Sequence, residues 1–326
     1  MSASHSLVGE SAPFRRVLAL IDRIARFDVP VVIEGETGTG KELAARAIHY
    51  GSARRDQPFV PVNCGAIPDT LIENELFGHQ RGAFTDARAD ATGLVEIAHG
   101  GTIFLDEVDA LSPRAQVTLL RFLQDQSYRP LGSRQERRVD VRFVAASNRP
   151  LQALTDTGAF RIDLLFRLSV MVVELPPLRS REGDATLLAR HFVDALNSRY
   201  PVGPKRLSAG FEAWVLAQPW PGNVRELENV VHRQYLLTSG PEVLPPHPSV
   251  EPSPRATAAR PHAGGRAYSA AKAAAVAEFD RAFLSELLRA THGSVSAAAR
   301  LASKERRALG KLLRKYGLRA TDYRSA

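Results

Sequence analysis

Five short apolar runs recur along the chain, at residues 31–33, 59–62, 102–105, 141–146 and 170–175. Each is rich in Val, Ile, Leu or Phe and too short for a helix of ordinary length, the pattern of a strand buried on both faces. The stretches between them carry helical spacing. Val17, Leu18, Leu20, Ile21 and Ile24 mark one helix within residues 7–27, and residues 68–79 read as another. Strands alternating with helices predict an α/β fold with a parallel sheet covered on both faces. Residues 184–238 hold helical segments without a strand candidate, so residues 178–238 are expected to form a helical lid subdomain on an α/β subdomain of residues 1–177. Residues 239–266, rich in Pro, Ala and Gly without periodicity, read as a flexible linker. From Ala267 the helical pattern returns, and residues 267–326 are expected to form an all-α tail domain.

Charge sharpens this partition. Residues 266–326 hold 13 Lys and Arg against five Asp and Glu, an excess of eight that equals the +8 of the whole chain. Residues 1–265 are therefore neutral in sum, and the positive tail has the footprint of a nucleic-acid-binding domain. One cysteine, Cys64, permits no internal disulfide. No apolar run approaches a membrane span of about 20 residues, and no membrane partner is expected. A reducing cytoplasm fits both features.

The chemistry gathers behind the first strand. In VVIEGETGTGKELAAR, residues 31–46, the strand runs into a glycine loop and then a helix. Gly35, Gly38 and Gly40 let successive N–H groups turn toward phosphate oxygens, and Lys41 adds a point charge at a helix N-terminus. The G-x-x-x-x-G-K spacing is that of a P-loop, with Glu42 where the general motif has Ser or Thr. The third strand ends in Asp106 and Glu107, suited to hold Mg²⁺ and to polarise the water that attacks a γ-phosphate. Asn63 and Asn148 follow two further strands, and in a parallel sheet these ends share one crevice.

The ordered blocks LVGES (7–11), GETGTGKE (35–42), FVPVNCGAIP (59–68), ELFGH (75–79), GGTIFLDEV (100–108), VRFVAASNR (141–149), FRIDLLFRL (160–168), LPPLRSR (175–181) and WPGNVRELENVV (220–231) resemble the AAA+ domain of bacterial enhancer-binding proteins, the NtrC-like activators of sigma-54 RNA polymerase. The resemblance implies an ATPase with ATP and Mg²⁺ as cofactors. Gly35, Glu36, Thr37, Gly38, Thr39, Gly40, Lys41 and Glu42 would bind the nucleotide, with Asp106 as metal ligand and Glu107 as catalytic glutamate. Asn63 resembles the residue that restrains Glu107, Asn148 the sensor beside the γ-phosphate, and Arg225 the second sensor. Arg161 and Arg167 fall where the family places arginine fingers between subunits of a ring, a hexamer being expected; the alternative is two surface arginines paired with Asp163 or another acid. The loop formed by Gly82, Ala83, Phe84, Thr85, Asp86 and Ala87 matches the family's sigma-54-contacting loop, with Asp86 in place of a glycine.

Residues 267–326 resemble the family's Fis-type helix-turn-helix. Phe279, Phe283, Leu284, Leu287 and Leu288 suit a dimerising helix, residues 295–301 the first helix of the motif, and residues 306–316 a recognition helix with Leu309, Leu312, Leu313 and Tyr316 inward. Arg306, Arg307, Lys311, Arg314 and Lys315 would then face enhancer DNA. Ser303 and Lys304 in the turn and Gly310 in the helix depart from the family pattern. The expected protein is an ATP-driven activator that remodels sigma-54 holoenzyme, without a family-type N-terminal regulatory domain and controlled in trans by another protein. The rival is a DNA-binding regulator that uses nucleotide as an assembly switch and does not touch sigma-54.

Overall fold

The computed structural model describes residues 7–84, 87–201 and 203–246, and in the tail residues 284–285, 287–288, 291, 293–302, 306–316 and 318–323. The chain divides into two units, residues 1–250 and 251–326.

In the first unit, α1 (Ala12–Ala25) precedes β1 (Val31–Glu34), and α2 (Lys41–Tyr50) follows the glycine loop. Then come β2 (Phe59–Asn63), α3 (Ile72–Phe77), the two-residue strands β3 (Gly78–His79) and β4 (Ala91–Thr92), α4 (Leu94–Ile97) and β5 (Thr102–Asp106). The subdomain continues with α5 (Pro113–Asp125), β6 (Ser127–Tyr128), β7 (Arg137–Arg138), β8 (Arg142–Ser147), α6 (Leu151–Asp156), α7 (Ile162–Leu168) and β9 (Met171–Glu174). The five long strands pair in the order β2-β5-β8-β1-β9, every pair parallel. All five expected strands are present, each within two residues of the predicted run.

The two-sided burial is visible residue by residue. Val32, Ile103, Leu105, Phe143 and Ala145 enter the core on one face of the sheet. Their neighbours Val31, Ile33, Phe104, Val144, Ala146 and Val173 enter the core on the other. Alternate side chains of one strand leave in opposite directions, so a strand apolar throughout demands cover on both sides. Arg142, buried at the start of β8, spends its guanidinium on the carbonyls of Ile24, Ala25 and Val29 at and just beyond the C-terminus of α1.

Residues 68–79 are less helical than expected. The helix is only Ile72–Phe77, and the chain then turns at Gly78 into an antiparallel ladder, with Gly78 opposite Thr92 and His79 opposite Ala91. The described residues of the GAFTDA loop, 82–84 and 87, lie between the two strands of this ladder. A second hairpin, β6–β7, lies beside it: Gln80 N–H donates to Leu131 O and Leu131 N–H to Gly78 O, each at 2.9 Å. Thr85 and Asp86 lie outside the described residues.

The lid comprises α8 (Asp184–Arg199), β10 (Arg206–Leu207), α9 (Ala209–Ala217), α10 (Asn223–Leu237) and β11 (Glu242–Val243). Two expectations are corrected here. Residues 184–238 contain a strand, β10, paired in parallel with β11. The lid also does not stop at 238: Val243 is fully buried in the core formed by Phe211, Leu227, Val231 and Tyr235. One apolar residue carries this extension, too little for periodicity to register against the Pro-rich surroundings.

In the second unit, helices span Val295–Leu301 and Arg306–Lys315. Leu284, Leu287, Leu288, Leu309, Leu313 and Tyr316 are buried together, with Leu312 half-buried against them. Arg306, Lys311, Arg314 and Lys315 are exposed. Phe279, Phe283, Ser303, Lys304 and the Arg307 side chain lie outside the description.

Candidate nucleotide-binding site

Parallel pairing places the C-terminal ends of β1, β5 and β8 side by side. Leaving them are the glycine loop, Asp106-Glu107 and Ser147-Asn148, and the N-terminus of α10 closes the opposite wall. The resulting cavity of about 220 Å³ is lined by Thr37, Gly38, Gly40, Lys41 and Glu42, by Asp106 and Glu107, and by Asn148 and Arg225. Residues more than 180 positions apart in the sequence thus face one space.

Lys41 is 8% exposed and fully hydrogen-bonded. Its Nζ donates to Gly35 O at 2.7 Å, Glu36 O at 3.2 Å and Asn148 Oδ1 at 2.8 Å. Burial lowers its pKa, and the carboxylates of Asp106, Asp109 and Glu107 oppose that shift. Thr37 Oγ1 donates to the same Asn148 oxygen at 3.1 Å. Thr39 turns its hydroxyl back to Glu36 O at 2.8 Å and shapes the loop. Gly38, at φ 80°, is required for a second reason: a Cβ there would lie 2.3 Å from Gly222 O of the lid. Glu42 pairs with Arg46 one turn along α2.

Asp106 is set by burial, which raises its pKa, while the Glu107 N–H bond at 3.0 Å and Lys41 pull the other way. Glu107 follows with φ 55° and ψ 42°, a left-handed backbone uncommon for a non-glycine residue and costly enough to be kept at working sites. Its carboxylate lies against Gly65: a Cβ built on that glycine would sit 2.5 Å from Glu107 Oε2. Asn63 is the register partner of Asp106, and its Oδ1 accepts from Ala66 N–H at 3.0 Å. No hydrogen bond joins Asn63 to Glu107 among the described residues. Cys64 is buried beside this pair, and burial together with the charge of Asp106 pushes its thiol up to about 12.

Magnesium suits the donor set, because that cation takes one or two carboxylates and completes its shell with water and phosphate oxygens. Asp106 alone, at the rim of the phosphate cradle, satisfies that need. The asparagine amides and Lys41 remain for the phosphates.

The other expected site residues sit apart. Arg161 stands at the N-cap of α7 and Arg167 in its last turn, and both are exposed. Arg161 makes a bidentate pair with Asp163, the alternative weighed from the sequence, at 2.7 and 3.0 Å. Arg167 forms no ion pair among the described residues. Ile162, Phe166 and Val170 around them are exposed at 55%, 70% and 54%. Phe84, 44% exposed, packs its ring on His79 at 4.9 Å, and His79 Nδ1 is bonded to Asn74 Oδ1 at 2.7 Å.

Several contributors escaped the sequence reading. Asn223 is fully buried at φ 53° and bonds Thr37 O, Glu36 and Leu178 N–H. Arg179 clamps the Glu36 carboxylate, and with Asn223 it holds that group down at about 2. The LVGES segment is anchored by Asp184, which accepts from Glu10 N–H, Ser11 N–H and Ser11 Oγ and pairs with buried Arg181. The signal for these was only the co-occurrence of LVGES, LPPLRSR and WPGNVRE in one chain.

The family model of the Sigma-54 interaction domain matches residues 7–174. That of the AAA+ ATPase lid domain matches residues 179–260, which agrees with a lid running past 238. Among curated relatives, the phenol regulator MopR of Acinetobacter guillouiae is 50% identical over 231 residues, covering 71% of this chain and 41% of that protein. The Sigma54-dependent transcriptional activator SfnR of Pseudomonas putida is 49% identical, covering 72% of this chain and 63% of its own. The chain thus spans less than two thirds of the length of either. Among solved structures, NtrX from Brucella abortus in complex with ATP superposes with a TM-score of 0.71 at 32% identity, covering 96% of this chain and 69% of that one. By these matches the chain belongs to the Sigma-54 interaction domain family, AAA+ P-loop proteins with a parallel α/β sheet and a helical lid.

Proposed function

We propose that this chain hydrolyses ATP and uses the cycle to remodel sigma-54 RNA polymerase holoenzyme at promoters. The observation that carries the reading is the convergence of Lys41, Asp106, Glu107 and Asn148 from three adjacent strand ends, closed by Arg225 of the lid. ATP with Mg²⁺ would supply the phosphoryl group and the charge that orients it. Lys41 and the loop N–H groups hold phosphates, Asp106 holds the cation, and Asn148 reads the γ-phosphate end of the cradle. Glu107 takes a proton from the attacking water, and its left-handed backbone directs the carboxylate past Gly65.

Arg161 and Arg167 act on a neighbour's nucleotide in this reading, within a hexameric ring whose contact face includes the exposed Ile162, Phe166 and Val170. Arg161 must first leave Asp163, an exposed pair that costs little to open. Mixing an Arg167→Ala chain with a Lys41→Ala chain should restore part of the ATPase activity that each lacks; an inactive mixture would assign the arginines to their own subunit.

Phe84 and its loop are the sigma-54 contact, and the exposed Arg306, Lys311, Arg314 and Lys315 contact enhancer DNA together with Arg307. Removing residues 267–326 should abolish specific DNA binding and its salt dependence while sparing ATPase at high protein concentration. The decisive experiment is capture of sigma-54 by the protein with an ATP transition-state mimic. Wild type and Asp86→Gly should capture it, and Phe84→Ala should not. If wild type and Asp86→Gly hydrolyse ATP yet both fail, the nucleotide-switch regulator is the better account; the Arg161–Asp163 pair, which leaves Arg161 occupied, is the observation on its side.

A further inference from the structure

The glycine loop has two faces. The inner one turns toward the cavity, and the outer one is bonded to the lid. Arg179, in the short 3-10 turn that opens the lid, donates two hydrogen bonds to the Glu36 carboxylate. Asn223, the first residue of α10, donates from Nδ2 to Thr37 O at 3.0 Å and to Glu36 Oε2 at 3.2 Å. Its Oδ1 accepts from Leu178 N–H at 2.8 Å. Val224 N–H and Arg225 N–H both point at Gly38 O, at 3.0 and 3.4 Å. Three successive loop residues, Glu36, Thr37 and Gly38, are thus each bonded to the lid, while Thr39, Lys41 and Asn148 bond Glu36 and Thr37 from the α/β side.

We propose that Glu36, Arg179 and Asn223 form a latch that makes the phosphate loop and the lid move as one body, and that Asn223 is its central positioning residue. The inference rests on the nucleotide-binding reading and adds residues to it. Three features point beyond simple packing. Asn223 has zero exposure and a left-handed backbone, a conformation that asparagine adopts more readily than other side chains. Both polar atoms of its side chain are used: Oδ1 on the 3-10 turn, and Nδ2 on the loop and on the nearby Pro221 carbonyl. Arg225, which lines the cavity, sits two residues further along the same helix. A shift of the loop under a bound phosphate therefore moves α10 and Arg225 without an intervening flexible joint. Conversely, lid rotation must drag Glu36–Gly38.

The test is nucleotide affinity and turnover measured separately on the full chain, with fluorescent ADP, ATP and the steady-state ATPase rate. Arg179→Ala and Glu36→Ala should each weaken ADP binding about two- to fivefold, the range of an exposed bidentate pair, and the double variant should lose no more than either alone. Arg179→Lys should behave like Arg179→Ala, since one ammonium cannot reproduce the fork. Asn223→Ala should weaken binding more, about tenfold or beyond, because it leaves Leu178 N–H and Thr37 O unpaired in a buried place. Asn223→Gly relieves the left-handed backbone yet removes the amide. If the amide is what matters, it too binds weakly although it folds. The readout that a merely structural role would not move is the ratio of ATP to ADP affinity, which should approach one in the latch variants as the lid stops sensing the phosphates. Additive losses in the double variant, or an unchanged ATP to ADP ratio in Asn223→Gly, would overturn the latch. Failure of wild type to bind either nucleotide would instead overturn the nucleotide-binding reading itself.

Discussion

The nucleotide crevice and the Gly78–Thr92 hairpin are built on opposite plans within one subdomain. In the crevice, the groups of the phosphate cradle are tied from several sides. Lys41 makes three hydrogen bonds, Glu36 is clamped by a guanidinium and an amide, and Asn148 anchors both Thr37 and Lys41. In the hairpin, two residue pairs and a few loop bonds hold a segment whose most prominent side chain, Phe84, rests on one imidazole. A site that stabilises developing charge gains from fixed dipoles. A tip that meets a partner gains from surface that is free to be covered. The difference separates chemistry from contact along the chain, and four changes probe whether the two are independent.

The largest effect expected is on turnover. Glu107→Gln keeps the side-chain length and the left-handed position, and steady-state ATPase should fall about 10²- to 10⁴-fold while fluorescent nucleotide still binds. Wild-type turnover in this variant would remove Glu107 from the chemistry. Next comes a lesion confined to the hairpin. Gly78 has φ 72°, and a Cβ would lie 2.1 Å from Ala91 O. Gly78→Ala should cost about 2–4 kcal/mol locally, from left-handed strain and a backbone clash together. Hydrogen exchange across residues 78–92 should speed up while nucleotide affinity stays as in wild type. Coupled loss of affinity would show that the two regions are not separable.

Lys41→Ala should weaken nucleotide binding by about 1.5–3 kcal/mol, a charged hydrogen bond's worth, and leave hydrogen exchange in the hairpin unchanged. The smallest effect concerns Glu36. Its folded pKa, about 2, lies below the ordinary 4.5, so its pairing stabilises the fold fully above pH 4.5 and that stabilisation is lost as pH falls toward 2. The stability difference between wild type and Glu36→Gln, small because the pair is exposed, should be constant from pH 6 to 8 and shrink below 4.5 in denaturant titrations. A difference that grows on acidification would contradict the assignment.

The parts legible in sequence were those encoded locally. Five apolar runs gave five strands, since burial on both faces leaves an unbroken signal. The glycine loop and the Asp106-Glu107 pair were legible because spacing alone puts them at strand ends. The two hairpins were missed because strands of two residues have no period to detect. Asn223 and Arg179 were missed for another reason: their partners lie 186 and 143 positions away, and nothing local marks an asparagine as a bridge. The lid's last strand hid in a Pro-rich stretch because Val243 is a single apolar residue. Arg161 is paired with Asp163 within its own chain, the alternative that the nearby acid already offered in the sequence.

The burial of Cys64 has a practical consequence. It is the only cysteine in 326 residues, and its thiol, pushed up to about 12, is almost entirely protonated at neutral pH and shielded from solvent. Maleimide dyes will therefore pass over the native chain. A single cysteine introduced at an exposed position such as Arg81 or Ser198 becomes the sole labelling point, with no cysteine-free background to prepare. Motion of hairpin and lid can then be followed by fluorescence in a protein whose interior is chemically untouched.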